Sequence, residues 1–300
     1  MATASAQFAP NDYKSDLKPI WCAGCGDYGA FNALCKAMSI CNFDPDKTVI
    51  VSGIGCSSRF PFFVKTYGFH SVHGRALPVA TGIKAANPDL NVIVVGGDGD
   101  GYSIGGGHFP HCARRNLDIT YVVLNNMIYS LTKGQISPTT VLPRATTASK
   151  VDSKRWKTTP YGMMEDPINP IAQAIGFDVS FIGRGFSYKP NLMVDLLVAG
   201  LKHKGFSLID VLTPCPTFNQ DQTDDFFKER AYELPADYDP EDRGKAFMLS
   251  LETDRFPLGV IYRNENKPSL MDEIKFVKGS LAKKGPLTLD TVFTRYKQDN

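Results

Sequence analysis

No apolar run in this 300-residue chain is longer than a strand requires, so no segment is expected to span a bilayer. The opening stretch, MATASAQFAPNDYKSDLKPI, lacks both an apolar signal core and an arginine-rich amphipathic pattern. Neither export nor organelle import is therefore expected, which leaves the cytoplasm. Charge of one sign is also missing: 33 Lys and Arg stand against 31 Asp and Glu, a net charge of +2. That balance provides no basic face for nucleic acid or an acidic membrane surface. Internal repeats are absent. The cysteines number seven, at 22, 25, 35, 41, 56, 112 and 215. An odd number without an export signal argues against a disulfide framework and for metal or redox ligation by those in loops. The remainder, 43% hydrophobic and 21% charged, suits one large α/β domain or two small ones.

The chain is organised around residues 97–135, GDGDGYSIGGGHFPHCARRNLDITYVVLNNMIYSLTKGQ. The β-type run NVIVVGG delivers Asp98 to the end of a strand, and its glycines leave room for backbone to approach a diphosphate. GGHFPHCARRN reads as a short helix, and ITYVVL as a second buried strand ending at Asn125 and Asn126. Asp98 and Asn126 thus lie at two strand ends separated by one crossover, so both side chains reach one carboxyl edge of a parallel sheet. An acid, an amide oxygen and a nearby backbone carbonyl suit a hard divalent ion such as Mg²⁺ that also takes phosphate oxygens. GDG alone is as well explained by a glycine-rich turn with a capping Asp. GDG followed at this spacing by NN resembles the thiamine diphosphate motif and favours cofactor binding.

Before this motif, Cys22-Ala23-Gly24-Cys25 forms a CxxC in a glycine-bearing loop. Asp27 is placed to cap the following helix, on which Phe31, Leu34, Cys35 and Met38 share one face. No strand precedes the pair, which counts against thioredoxin-type chemistry. Residues 48–53, TVIVSG, form a strand ending in Ile54-Gly55-Cys56-Ser57. His70 and His73 precede a helix that begins near Arg75 and is stopped by Pro88. Beyond Gln135, the Pro/Thr-rich stretch 137–160 is too long for a simple connector and reads as a functional cover or partner contact. Helix–strand alternation resumes after 169 and closes at Cys215 between two prolines. From 216 to 300 the pattern weakens, so residues 1–215 are expected to form the α/β domain. The rest is expected to be an extended tail on the core or on a partner chain.

Cys22, Cys25, Cys56 and Cys215 fall in loops marked by glycine or proline. Four thiolates suit either a [4Fe–4S] cluster or structural zinc, and spacing does not choose between them. Cys56 and Cys215 are also small enough to be packing residues. A thiamine site tips the balance toward the cluster, because zinc has no redox chemistry to offer beside it.

WCAGCG, GIGC, HGRALPVATGIK, GDGDGYSIGGGH, RRN, YSLTKGQISPT and TPCP together resemble the β subunit of 2-oxoacid:ferredoxin oxidoreductases over about residues 17–220. The resemblance implies a doubly wound, mostly parallel α/β sheet with a thiamine-diphosphate-binding fold. It implies a [4Fe–4S] cluster on Cys22, Cys25, Cys56 and Cys215, and Mg²⁺ on Asp98, Asn126 and the Ile128 carbonyl. Cofactor contacts would come from Ile54, Gly55, Cys56, Ser57, His73, Gly99, Asp100, Ser130 and Leu131. No pyrimidine-binding unit fits in this chain, so an α subunit should bring the activating glutamate and most substrate contacts, in a dimer of αβ heterodimers. Coenzyme A, ferredoxin and a 2-oxo acid complete the reaction. His73 and Lys133 are candidate catalytic residues. Lys133, in TKGQ where related pyruvate enzymes carry a small residue, is shared by the broader-specificity and 2-oxoglutarate branches and points to 2-oxoglutarate, with a pyruvate or broad-specificity 2-oxoacid enzyme as the alternative. A non-oxidative thiamine decarboxylase half with zinc is the competing enzyme reading, and a thiamine- or nucleotide-binding regulatory module the competing non-enzyme one.

Overall fold

Alternation along the strands decides which helices cover which face. In the computed structural model, which describes residues 7–141 and 165–273, β1 (Thr48–Ser52) turns Ile50 to one side of a sheet and Val49 and Val51 to the other. On the first side, Ile50, Val95, Val122 and Ile209 pack against α1 (Asp27–Ile40). A second helix on that side, described below, completes the layer. On the other side, β1 and its neighbours meet α3 (Ala76–Ala86), which α2 (Phe60–Phe63) and the exposed strand β2 (Tyr67–His70) precede in the chain. β3 (Asn91–Gly97), α4 (Phe109–Arg115) and β4 (Ile119–Asn125) follow, then the short β5 (Ile128–Tyr129) and β6 (Gln135–Ile136). After residue 165 come α5 (Pro170–Gly176), β7 (Phe181–Phe186), α6 (Pro190–Lys202) and β8 (Phe206–Leu212). α7 (Asp224–Arg230), β9 (Ala231–Glu233), α8 (Arg243–Ser250), β10 (Phe256–Arg263) and α9 (Leu270–Glu273) complete the described chain. α6 joins α1 on the first face, while α4, α5 and α8 lie with α3 on the second.

The main sheet runs β2-β1-β3-β4-β8-β7-β10-β9, with β5 and β6 apart as a small antiparallel pair. Every pair in the main sheet is parallel except β7 with β10. Helices on both faces of a mostly parallel sheet make the doubly wound arrangement, whose strands are buried on both sides and therefore nearly all apolar. Among the described residues no helix is long and apolar enough to cross a membrane.

Residues 216–273 differ from the extended tail expected of them. They contribute β9 and β10 to the sheet, and Phe227, Phe256 and Leu258 form a third apolar cluster with Met127, Phe186 and Leu212. The strand FPLGVIYR was hard to see because Pro257, Gly259 and a register shift between Val260 and Tyr262 break its alternation. Residues 142–160 of the Pro/Thr-rich segment and 274–300 of the tail lie outside the described residues.

A buried ion pair joins the neighbouring strands β7 and β8. Arg184 Nε donates to Asp210 Oδ2 at 2.9 Å, and Asn125 Nδ2 donates to the other oxygen at 3.1 Å. Asp210→Ala strands a buried guanidinium, so a loss of about 3–5 kcal/mol is expected. A urea midpoint that stays at the wild-type value would refute a structural role for the pair.

Candidate active site

Strand order brings three loops to one carboxyl edge. β3 lies between β1 and β4, so the residues following each of these strands face one another. Between them is a solvent-open cleft with about 490 Å³ of empty space. The loop after β1 contributes Ile54, Gly55, Cys56 and Ser57, and the loop after β3 contributes Asp98, Gly99 and Asp100. Asn126, Ile128, Ser130 and Leu131 come from beyond β4, and His73 from the approach to α3. Every residue expected to contact the cofactor or its metal therefore lines this one cleft. Lys133 does not line it: it is exposed on the rim turn, in left-handed backbone at φ 81°.

Asp98 and Asn126 meet as expected, with the Asn126 N–H 3.4 Å from Asp98 Oδ1. Asn126 is fixed on both ends of its amide: Oδ1 accepts from Ile128 N at 3.1 Å and Nδ2 donates to Ser130 Oγ at 3.1 Å. Its own carbonyl accepts from Asn219 Nδ2 at 2.8 Å. Asp98 is buried, and loss of solvent pushes its carboxyl up to about 6 in spite of hydrogen bonds from Ser137 and Thr139. A cation in the cleft would reverse that push. One carboxylate, one amide oxygen and one backbone carbonyl form a donor set suited to a hard ion that keeps other oxygen ligands.

Asp100 has an internal task. Its Oδ1 accepts from Ile54 N at 2.9 Å and from Gly74 N at 2.7 Å, tying the loop after β1 and the turn before α3 to its own loop. His73 Nδ1 lies 3.2 Å from the same oxygen, in an orientation that makes no hydrogen bond. The glycines likewise serve protein contacts first. A Cβ at Gly53 would sit 2.0 Å from Asp100 Oδ2, and one at Gly99 would sit 2.4 Å from the Tyr129 ring. Tyr129 closes that contact by donating its hydroxyl to the Gly99 carbonyl at 3.1 Å.

The loops that carry the four cysteines meet beside the cleft. Trp21 Nε1 donates to the Cys56 carbonyl at 2.8 Å, and Gly26 N to the Pro214 carbonyl at 3.1 Å. These bonds tie the CxxC loop to both of the single-cysteine loops. Burial, followed by nearby charges, raises the thiol of Cys25 well above its usual value, and burial raises those of Cys56 and Cys215. Cys25 is influenced by Cys215 and Cys56, and Cys56 by Cys22, so the four form one electrostatic neighbourhood. Among the described residues no three His, Cys, Asp or Glu side chains stand close enough to hold a metal ion as they are. The loops are brought together, and burial disfavours the anionic form of the Cys25, Cys56 and Cys215 thiols. Such thiols ionise when a metal supplies the compensating charge. Cys35 and Cys112 are buried in the two apolar layers, as packing residues are.

Sequence reasoning missed three features. Asp27 does not cap α1, whose N-cap is Gly26; it is buried with Oδ2 unpartnered, and desolvation raises its carboxyl to about 7. Ser137 and Thr139, read only as part of a Pro/Thr-rich cover, grip Asp98. Ser130, expected only as a cofactor contact, also accepts from Asn126 Nδ2 and lies near enough to Cys56 to favour its thiolate. The hydroxyl run in ISPTT directly after GQ was the available signal for Ser137 and Thr139.

Known proteins share this architecture. A family model described as the thiamine pyrophosphate enzyme C-terminal TPP binding domain matches residues 53–211. A second, for the C-terminal part of the pyruvate ferredoxin oxidoreductase beta chain, matches 215–279. The 2-oxoacid:ferredoxin oxidoreductase 2 subunit beta of Aeropyrum pernix is 39% identical over 289 residues, covering 92% of this chain and 90% of that one. The 2-oxoglutarate oxidoreductase subunit KorB of Mycobacterium tuberculosis is 43% identical over 222 residues, covering 74% and 57%. Among solved structures, 2-oxoglutarate:ferredoxin oxidoreductase from Magnetococcus marinus, with 2-oxoglutarate, coenzyme A and succinyl-CoA bound, superposes with a TM-score of 0.86. It is 38% identical, and 97% of each chain is covered.

Proposed function

The chain belongs to the β subunits of the 2-oxoacid:ferredoxin oxidoreductases, and from that premise we propose that it forms the thiamine and electron-transfer half of a 2-oxoglutarate:ferredoxin oxidoreductase. The site is finished by an α subunit, which brings the activating glutamate and most substrate contacts, in a dimer of heterodimers. The net reaction takes 2-oxoglutarate and coenzyme A to succinyl-CoA and CO₂, releases one proton and passes two electrons to ferredoxin. Reductive carboxylation runs the same balance in reverse. The observation that carries this reading is the single cleft in which Asp98, Asn126 and Ile128 meet beside the four loop cysteines.

Thiamine diphosphate, when bound, supplies the carbon nucleophile and electron sink that let a 2-oxo acid lose CO₂. This chain's residues provide placement and charge. Asp98, the Asn126 side chain and the Ile128 carbonyl hold Mg²⁺, with only the first carrying a formal charge. Asp100 keeps the loops at Ile54 and Gly74 in register, so the backbone presented to the diphosphate does not sag. Tyr129 fastens the loop beyond β4 to Gly99, limiting the width of the cleft. Cys22, Cys25, Cys56 and Cys215 would hold a [4Fe–4S] cluster, and Ser130, which accepts from Asn126 Nδ2, lies between the metal clamp and Cys56.

Iron, sulfide and thiamine analysis of the anaerobically purified αβ complex tests the cofactor content. A colourless, zinc-loaded protein would replace this reading with the non-oxidative one. Lys133, exposed on the rim, is placed to meet a distal carboxylate or the incoming coenzyme A. Lys133→Ala is expected to lower kcat/KM for 2-oxoglutarate roughly 10- to 100-fold, about 1.4–2.7 kcal/mol of transition-state binding. Steady-state kinetics with both acids decide the substrate: a higher kcat/KM for pyruvate would reject 2-oxoglutarate. An effect confined to the KM for coenzyme A would assign Lys133 to the acyl acceptor.

A further inference from the structure

A carboxylate can meet a cation through one oxygen or two, and the surroundings of Asp98 leave one. Ser137 Oγ and Thr139 Oγ1 both donate to Oδ2, at 2.5 and 2.6 Å. Oδ1 accepts the Asn126 N–H at the longer distance of 3.4 Å. All three side chains are at most 3% exposed, so water does not compete for these bonds. Two short charge-assisted bonds on one oxygen use the lone pairs that a chelated cation would need.

The turn carrying the two hydroxyls is itself anchored. Ser137 N donates to Thr140 Oγ1 at 2.9 Å, and that hydroxyl donates onward to the Met127 carbonyl at 2.5 Å. Met127 directly follows Asn126, so the same chain segment that presents the amide fixes the turn that orients the acid. Rotating Asp98 to present both oxygens would break two buried hydrogen bonds at once.

We propose that Ser137 and Thr139 are positioning residues that restrict Asp98 to one-oxygen coordination and so select Mg²⁺ over Ca²⁺ in the cleft. Mg²⁺ demands a near-ideal octahedron and usually keeps waters and phosphate oxygens around one or two carboxylates. Ca²⁺ takes six to eight oxygens in a looser shell and accepts two-oxygen carboxylate ligation. Locking Oδ2 withholds a ligand that only the larger ion can use. The inference rests on reading Asp98 as the metal ligand of the thiamine cleft.

The test uses the full-length chain in complex with its α subunit, stripped of metal with a chelator. Thiamine diphosphate is titrated in Mg²⁺ or in Ca²⁺, with binding followed by quenching of intrinsic fluorescence. The quantity read is the apparent Kd in Ca²⁺ divided by that in Mg²⁺. Combining Ser137→Ala with Thr139→Val is expected to lower this ratio at least tenfold, whereas Thr139→Ser, which keeps the hydroxyl, leaves it at the wild-type value. An unchanged ratio in the double variant overturns the proposal, even if both affinities fall together, since a merely structural role weakens both ions alike. A lowered ratio in Thr139→Ser overturns it as well. If circular dichroism shows the double variant unfolded, Ser137→Ala and Thr139→Val are titrated separately, with a smaller shift in the same direction expected from each and no shift refuting the role. Asp98→Asn separates the two levels. Wild-type metal-dependent binding in that variant sinks the site assignment. Loss of binding there with an unmoved ratio in the Ser137/Thr139 variants sinks only the positioning role.

Discussion

Asp98→Ala is expected to weaken metal-dependent thiamine diphosphate binding at least about a thousandfold, or about 4 kcal/mol, while iron content stays at the wild-type level. Asp98 is the carboxylate that joins Asn126 and Ile128 in the cleft's proposed metal set. Without it, the cation keeps only a neutral amide, a backbone carbonyl and whatever phosphate and water provide. The substitution also removes the shared acceptor of Ser137 and Thr139, which leaves Thr139 its longer bond to Asn125 Oδ1 at 3.3 Å and Ser137 its neighbouring hydroxyls. Asp98→Asn is the milder control because it retains an oxygen for at least one of those hydroxyls. Calorimetric titration of the αβ complex with the cofactor in Mg²⁺ measures the loss, and a Kd within threefold of wild type would remove Asp98 from the metal site. Because the cluster is assigned to thiolates on other loops, brown colour in the Asp98 variants shows that the two sites fail independently.

Serine at Cys22, Cys25, Cys56 or Cys215 is expected to abolish ferredoxin reduction and to drop bound iron from about four per chain to three or fewer. Serine at Cys35, Cys41 or Cys112 is expected to leave iron unchanged. Burial raises the Cys25, Cys56 and Cys215 thiols, so the fold alone does not favour their anionic form. The compensating charge has to come from the bound cluster, and a serine hydroxyl, far harder to ionise, forfeits it. Cys35 and Cys112 belong to the apolar layers on opposite faces of the sheet, where a hydroxyl disturbs packing without touching a ligand. Iron quantitation on anaerobically prepared variants decides the matter. A Cys35→Ser protein without iron beside a Cys215→Ser protein with its full complement would invalidate the ligand set.

The cleft was legible in the sequence because its parts lie at strand ends, and strand ends are announced by apolar runs that stop at glycine. NVIVVGG followed by Asp98, and ITYVVL followed by Asn125 and Asn126, yielded both the elements and their meeting point. Less legible was which partners each side chain would choose. Asp100, expected among the cofactor contacts, lines the cleft and also accepts from Ile54 N and Gly74 N, a convergence set by crossovers that spacing does not encode. Asp27 looks like a helix cap because acids commonly occupy that place, yet α1 starts at the residue itself and carries it inward. β10 escaped notice for a local reason, a proline, a glycine and a bulge within eight residues. β2 escaped because YGFH is short and exposed along its whole length, so no buried face marks it.

The central pairing of β4 with β8 also orders events in time. During synthesis, β1, β3, β4 and the loops that shape the cleft, through Thr140, leave the ribosome before any of β8 exists. Until Phe206 arrives opposite Ile119, the outer edge of β4 is an unpaired strand of Ile, Tyr, Val and Leu, a surface prone to aggregation. Cys215 follows just beyond β8 and is the last of the four thiols to be made. On the assignments proposed here, the nascent chain can meet thiamine diphosphate and magnesium while it still lacks the residue that completes the iron site. The proposed thiamine cleft and the proposed iron site thus draw on parts of the chain made at different times.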